Sequence, residues 1–124
     1  MADNKIIDGK LIAATIKKEI ATEVANMIDH GQDAPHLAAV IVGEDGPSLT
    51  YVASKEKASQ SVGMISSVYR LKATATEKEV LDTINFLNND PEIDGYIVQL
   101  PLPDHINETK VIQSISPNKD VDGF

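Results

Sequence analysis

The sequence predicts an α/β fold in which a small parallel sheet carries helices on both faces, in three layers. Apolar runs of strand length alternate with stretches whose apolar residues recur every three or four positions, in the order helix, strand, helix, strand, helix, strand, helix. The apolar run 37–42 has no polar alternation, which is typical of a strand buried on both faces of a parallel sheet. We therefore expect right-handed crossovers and ligand-binding loops at the carboxyl edge of the sheet.

Length and composition limit the kind of protein this is. A chain of 124 residues allows one domain with one core. Its net charge of −8 disfavours binding to a phosphate backbone, and the absence of cysteine excludes disulfides, thiol catalysis and thiolate metal sites. Neither a signal peptide nor an apolar run of about 20 residues is present. We expect a cytoplasmic protein with no nucleic-acid or membrane partner.

The first helix is predicted between Lys10 and His30, with Asp8 as its N-cap and Gly31 as its stop. Its apolar residues recur at helical spacing, so we expect them to form one face that covers the sheet. These residues are Ile12, Ile16, Ile20, Val24, Met27 and Ile28.

The segment that follows the first strand contains a second helix and a more polar strand. Ser48 is a candidate cap for the helix that follows Gly43. The strand 66–71 contains polar residues and is therefore expected near an edge of the sheet.

The third helix begins with a capping-box pattern, Thr76 to Glu79, and ends near Asn88. Ile93 to Val98 is the next predicted strand. Asn107 can cap a last helix, which Pro117 would end. The expected buried residues of these two helices are Val80, Leu81, Ile84, Leu87, Val111, Ile112 and Ile115.

The segment 95–103 is the most informative part of the chain. An apolar strand runs into Gln99 and then into Pro101 and Pro103, which lack the N–H group that a sheet needs. The strand must stop, and Gln99 is left at its carboxyl end, where open α/β sheets bind ligands. A strand followed by an ordinary proline-rich turn is the alternative.

Tyr51 and Lys55 lie four residues apart on the predicted second helix, so both project from the same face. This helix has few large apolar residues. Packing alone therefore explains Tyr51 poorly, although core packing for Tyr51 and a solvated surface position for Lys55 are the alternatives.

Three segments together resemble the methylenetetrahydrofolate dehydrogenase/cyclohydrolase family, in its amino-terminal catalytic domain. They are the Ser-x-x-Tyr-x-x-x-Lys helix at 48–55, the Val-Gln-Leu-Pro-Leu-Pro strand end at 98–103 and the Lys-Asp-Val-Asp-Gly segment at 119–123. The resemblance covers the whole chain, including 7–10. The chain departs from it at 45–48, where Asp-Gly-Pro-Ser replaces the usual Asp-Pro-Ala-Ser.

The resemblance implies a bifunctional enzyme of one-carbon folate metabolism. Such an enzyme oxidises 5,10-methylenetetrahydrofolate with NADP and hydrolyses the methenyl product to 10-formyltetrahydrofolate. Residues 1–124 would be the folate-binding domain, and the dinucleotide-binding Rossmann domain would be absent, because no G-x-G-x-x-G follows any strand. The family forms homodimers chiefly through that other domain, so this chain is expected to be monomeric or weakly associated. A noncatalytic folate-binding or interaction module is the alternative.

The resemblance also assigns roles to individual residues. Lys55 would be the general acid/base, Gln99 would orient it, Tyr51 would stack on the folate and contribute to catalysis, and Asp122 would bind the pterin. Substrate contacts are expected from Tyr51, Lys55, Val98, Gln99, Leu100, Pro101 and Asp122.

Other polar residues are given structural roles. Because the resemblance gives the pterin contact to Asp122, Asp120 is expected to be structural. A metal on this Asp-x-Asp pair is the poorer alternative, since two carboxylates supply too few oxygens for a Ca²⁺ site. The three histidines, His30, His36 and His105, lack the spacing of a zinc site or a catalytic triad, and are expected in loops or caps. Neither a metal nor a cofactor site is expected in this chain.

Overall fold

The computed structural model describes residues 9–44 and 46–121. This part of the chain contains four helices and three strands in the predicted alternating order. The helices are α1 (Gly9–Asp29), α2 (Gly46–Ser61), α3 (Glu77–Asn89) and α4 (Glu108–Gln113), and the strands are β1 (His36–Val42), β2 (Ile65–Leu71) and β3 (Gly95–Val98).

The three strands form a parallel sheet with the order β2-β1-β3. Strand β1 lies in the centre, and Ala38 to Val42 are buried, as the continuous apolar run predicted. Strand β2 lies at an edge, which confirms the expectation from its polar residues. At the opposite edge of the sheet, Tyr96 of β3 pairs in parallel with Asp120, and Tyr96 N donates to Lys119 O at 3.0 Å.

Helices cover both faces of the sheet, so the predicted three-layer α/β architecture is confirmed. Side chains alternate across a strand, and successive residues of β1 therefore enter two separate cores. Ala38, Val40 and Val42 pack with residues of α3 and α4, whereas Ala39 and Ile41 pack with Val52 of α2.

Helix α1 covers less of the sheet than its apolar stripe predicted. Val24 is buried, but Ile12, Ile16 and Ile28 are 45%, 48% and 50% exposed. The spacing of apolar residues therefore predicts the apolar stripe of α1, but it does not show how much of that stripe other elements cover. Gly31, at φ 82°, follows the end of α1 as predicted, and the proposed cap Asp8 lies outside the described residues.

The predicted caps of the two later helices are present. Thr76 Oγ1 accepts from Glu79 N at 3.1 Å, and Asn107 Oδ1 accepts from Lys110 N at 3.1 Å. Helix α4 ends at Gln113 rather than at Pro117, because the Ser114 and Ile115 N–H groups close shorter turns to Val111 and Ile112. Of the three residues predicted to be buried here, Val111 and Ile115 are buried, whereas Ile112 is only half-buried.

Strand β3 begins at Gly95, two residues later than predicted. The preceding residues form a turn in which Asp90 accepts from the N–H groups of Glu92 and Ile93. Ile93 is buried, and its apolar side chain therefore extended the strand pattern without strand pairing.

The Lys119 ammonium donates to Leu87 O at 2.7 Å, which places a cation at the carboxyl end of α3.

The side chain of Asn88 connects α3, β3 and the turn after α4. Its Oδ1 accepts from the Tyr96 hydroxyl at 2.6 Å and from Ser116 N at 3.0 Å, and its Nδ2 donates to Ser114 O at 2.8 Å. The pKa of Tyr96 is raised to about 12, mainly by burial; the Ser116 backbone group opposes the rise, and the nearby Asp120 charge adds to it.

We expect the free energy of unfolding to fall at alkaline pH because of Tyr96. A pKa raised above its ordinary value of 10.0 gives a stabilisation that is fully present below pH 10.0 and is lost as the pH rises towards about 12. Urea unfolding followed across this range should show the loss. Tyr96→Phe should reduce the alkaline loss, whereas Tyr51→Phe, at an exposed tyrosine, should keep it. An equal loss in wild type and Tyr96→Phe would contradict the assignment.

Candidate functional site

A tight turn joins the carboxyl end of β1 to helix α2. Gly43 has φ 91°, a conformation that side chains other than hydrogen disfavour, and its N–H donates to Leu71 O at 2.9 Å. A Cβ at Gly43 would also lie 3.4 Å from Ala73 Cβ. Gly43 therefore fixes the backbone directly after β1, and α2 begins three residues later, at Gly46.

The sequence predicted Ser48 as the cap of α2, and this prediction is wrong. Ser48 is the third residue of the helix, because α2 begins two residues earlier, at Gly46. Its side chain is only 2% exposed, and its hydroxyl donates to the Leu100 carbonyl oxygen at 3.4 Å. Ser48 therefore links the first turn of α2 to the segment that follows β3.

Lys55 and Gln99 are hydrogen-bonded to each other at the carboxyl end of β3. The Lys55 Nζ donates to the Gln99 Oε1 at 3.3 Å, which is the hydrogen bond expected from the sequence. Gln99 is held in two ways: its backbone N donates to Val40 O at 2.9 Å, and its Nε2 donates to Leu100 O at 3.1 Å. The pairing with β1 thus continues one residue beyond β3, and it fixes the backbone from which the Gln99 amide projects.

Tyr51 lies one helical turn before Lys55 on α2 and is 57% exposed. The alternative role of core packing is therefore wrong. An exposed aromatic ring next to an amine offers a flat apolar surface on which a planar ligand can stack.

A cleft of about 300 Å³ lies between α2 and the sheet. The Glu56 carboxylate faces it, accepting from the Ser66 hydroxyl at 3.4 Å. The residues that line the cleft are Leu37, Ala38, Ala39, Lys55, Glu56, Ala58, Ser59, Ser66, Ile97 and Val121. Its surface is mainly apolar with Lys55 among its few charged groups, which is typical of a binding site for a small organic molecule.

The predicted substrate residues occupy different places around this cleft. Lys55 lines it, and Gln99 contacts Lys55. Val98 is 1% exposed and packs in the core on the α3 side, because its neighbour Ile97 takes the cleft side of the strand. Leu100 packs partly against the same core, and Pro101 is exposed.

Asp122 lies outside the described residues, so its predicted role stays a prediction. The residue before it, Val121, lines the cleft. A Cβ at Gly95 would lie 2.6 Å from Val121 Cγ2, so the glycine lets this segment approach β3 closely.

Two residues of the site were missed from the sequence. Glu56 directly follows Lys55, but the helical spacing of Tyr51 and Lys55 identifies only the face of α2 that those two residues share. The sequence predicted a cap at Ser48 rather than a buried hydroxyl, because serine is favoured at the N-cap. The position of Ser48 in the Ser-x-x-Tyr-x-x-x-Lys pattern was the available signal.

The histidines lie away from Lys55. His30 follows α1 and His105 lies in a loop, as predicted, and the His105 Nε2 lies 2.7 Å from Ala75 O. His36 is instead the first residue of β1, with its Nε2 2.6 Å from Ser67 Oγ. Across residues 9–44 and 46–121, no three His, Asp or Glu side chains are arranged to hold a metal ion. Within the same ranges, no helix is long and apolar enough to cross a membrane.

Comparison with known proteins gives a consistent result. A family model described as the tetrahydrofolate dehydrogenase/cyclohydrolase catalytic domain matches residues 7–122. The bifunctional protein FolD of Christiangramia forsetii is 56% identical over 119 residues, which are 96% of this chain and 40% of that protein. This chain thus spans well under half of that relative's length.

Solved structures of the same kind share the fold. The bifunctional FolD methylenetetrahydrofolate dehydrogenase/cyclohydrolase of Campylobacter jejuni superposes with a TM-score of 0.89 at 43% identity, covering 93% of this chain and 40% of that one. The Trypanosoma brucei enzyme, solved with NADP cofactor and an inhibitor, gives 0.88 at 34% identity, covering 94% and 40%. With its cleft between α2 and the sheet, its Lys55–Gln99 contact at the carboxyl end of β3 and a family match over nearly its whole length, this chain belongs to the tetrahydrofolate dehydrogenase/cyclohydrolase family, in the catalytic domain.

Proposed function

We propose that this chain is the folate-binding catalytic half of a bifunctional enzyme. That enzyme oxidises 5,10-methylenetetrahydrofolate with NADP and hydrolyses the methenyl product to 10-formyltetrahydrofolate. The observation that carries the proposal is the hydrogen bond from Lys55 to Gln99 at the edge of a mainly apolar cleft.

The chemistry of the hydrolysis explains the choice of lysine. The methenyl compound is a cation, and a fixed positive charge beside it would repel it. A lysine amine can lose its proton and then move protons between water and substrate, whereas an arginine side chain keeps its charge. Lys55 is exposed in the free protein, and a substrate that covers it would remove water and favour the neutral amine.

Gln99 suits its place because an amide orients the amine without adding charge. A carboxylate at the same position would hold Lys55 in its charged form. Tyr51, exposed one turn away, is proposed to stack on the aromatic part of the folate.

Asp122 is proposed to accept hydrogen bonds from the pterin amino and ring N–H groups, for which a planar carboxylate is suited. Support comes from Val121, which places the start of this segment at the cleft.

When bound, NADP would accept a hydride from the methylene carbon of the substrate. The sequence has no Gly-rich phosphate loop after any strand, so the residues of this chain do not fit a dinucleotide. We propose that the cofactor is held by the part of the bifunctional protein that corresponds to the rest of the FolD relatives, through which the enzyme also dimerises. The residues 1–124 are proposed to be monomeric or weakly associated, and the protein cytoplasmic.

We expect Asp122→Ala to act mainly on folate binding, because its proposed contacts form equally in bound substrate and transition state. Loss of a hydrogen bond to a charged group weakens binding by about 10- to 100-fold. Titration of a folate analogue into residues 1–124, followed by NMR chemical shifts, measures this even when binding is weak.

Asp104→Ala is the matched control, since Asp104 is an exposed aspartate in the loop after β3. Unchanged affinity in Asp122→Ala would reassign that residue to structure. If wild type binds the analogue but does not hydrolyse the methenyl compound even as part of a complete bifunctional chain, the protein is a noncatalytic folate-binding module and the proposal fails.

A further inference from the structure

The buried hydroxyl of Ser48 is connected to the Lys55 amine through three hydrogen bonds. The Ser48 hydroxyl donates to the Leu100 carbonyl oxygen at 3.4 Å, and the Gln99 Nε2 donates to the same oxygen at 3.1 Å. The Gln99 Oε1 then accepts from Lys55 Nζ at 3.3 Å. One carbonyl oxygen therefore joins the first turn of α2 to the side chain that holds the amine.

This arrangement determines which way the Gln99 amide faces. A carbonyl oxygen can only accept, so the amide must turn its NH₂ group towards Leu100. Its oxygen is then left for Lys55. The opposite orientation would place the Gln99 amide oxygen against the Leu100 carbonyl oxygen. It would also place the Gln99 NH₂ group against the N–H groups of a charged Lys55.

The orientation in turn decides what the amine can do. The Gln99 oxygen accepts one N–H of Lys55 and leaves the nitrogen lone pair of a neutral amine free for a proton from water or substrate. With the amide reversed, its NH₂ group would occupy that lone pair. The correct orientation of Gln99 is therefore a condition for the proposed proton transfer.

We propose that Ser48 is a positioning residue for the hydrolysis: its hydroxyl fixes the Leu100 carbonyl, and through it the orientation of Gln99 and Lys55. This inference rests on the proposed function. It depends on Ser48 being inside the helix and 2% exposed, because a buried hydroxyl has little water to compete for its contacts.

The Leu100 segment is also held from its other side. Leu102 N donates to the Glu108 carboxylate at 2.9 Å, and Asn107 N donates to Glu77 Oε1 at 2.9 Å. The second half of the loop is thus fixed to α3 and α4, whereas its first half is fixed to α2 by Ser48. Removal of the Ser48 hydroxyl should therefore loosen the carbonyl next to Gln99 while the fold remains.

The test is a double-mutant cycle on hydrolysis of the methenyl compound by a complete bifunctional chain, in which residues 1–124 are followed by the part of the C. forsetii FolD protein beyond the 119 matched residues. Ser48→Ala should lower the rate at saturating substrate by about 5-fold, the effect of one neutral hydrogen bond, with KM changed less than about 2-fold. In a Gln99→Leu background the same substitution should change the rate by less than about 2-fold, because the amide through which it acts is gone. Ser61→Ala, the same change at the far end of α2, should leave the rate unchanged in both backgrounds.

A second measurement does not depend on the substrate. In ¹⁵N-labelled protein, Ser48→Ala should shift the Gln99 side-chain NH₂ resonances, and Ser61→Ala should not. An equal loss of rate from Ser48→Ala in both backgrounds, or no loss in either, would overturn the proposal. If wild type shows no hydrolysis, the proposed function fails, and the Gln99 resonances alone decide: unshifted resonances in Ser48→Ala would overturn the positioning role as well.

Discussion

Lys55→Met should lower hydrolysis of the methenyl compound by more than about 10²-fold, while affinity for a folate analogue stays within a few fold. Methionine keeps much of the length and apolar character of the lysine side chain but carries no exchangeable proton. The stacking surface of Tyr51 and the apolar lining of the cleft would remain. The loss should therefore appear in turnover rather than in binding.

The measurement requires a complete bifunctional enzyme, which we call the hybrid enzyme. It consists of residues 1–124 followed by the part of the C. forsetii FolD protein beyond the 119 matched residues. Lys57→Met is the matched control, because Lys57 is also exposed on α2 but lies two residues on, away from the Tyr51 face. Near wild-type hydrolysis by Lys55→Met would remove Lys55 from the mechanism.

Much of the fold could be predicted because its signals are local. Continuous apolar residues identified β1 as a buried central strand, and polar residues placed β2 at an edge. Thr76 and Asn107 were predicted as caps, since a cap depends on only a few neighbouring residues.

The errors occurred where a distant contact decides the outcome. The exposure of Ile12 and Ile16 depends on which other elements pack against α1, which spacing along the helix does not encode. Ser48 was taken for a cap, because its partner, the Leu100 carbonyl, is 52 residues away in sequence.

In the candidate site too, some features could be predicted from the sequence and others could not. The Lys55–Gln99 pair could be predicted, because Gln99 follows the carboxyl end of β3, the helix that carries Lys55 follows the carboxyl end of β1, and a parallel sheet brings these two ends to one edge. The place of Val98 could not be taken from the motif. Strand alternation sends its side chain into the α3 core and gives the cleft side to Ile97.

Residues 1–124 alone should not reduce NADP when supplied with methylenetetrahydrofolate, whereas the hybrid enzyme should. Tyr51, Lys55 and Gln99 lie in this chain, so the folate side of the cleft can form. Hydride transfer also needs a nicotinamide held against the folate, and this sequence offers no phosphate-binding loop to hold one. Hydrolysis needs only the amine and water, so traces of it should remain in residues 1–124.

Absorbance of the reduced cofactor measures the first reaction, and loss of the methenyl chromophore measures the second. The hybrid enzyme carrying Lys55→Met serves as a control for background hydrolysis. Sustained reduction of NADP by purified residues 1–124, with contaminating bifunctional enzyme excluded by mass spectrometry, would show that the nicotinamide is bound within this chain. In that case the cleft between α2 and the sheet would have to accommodate both reactants. Its volume of about 300 Å³ is at the lower end of the range for sites that hold a single drug-sized ligand, which is the physical reason to expect no reduction.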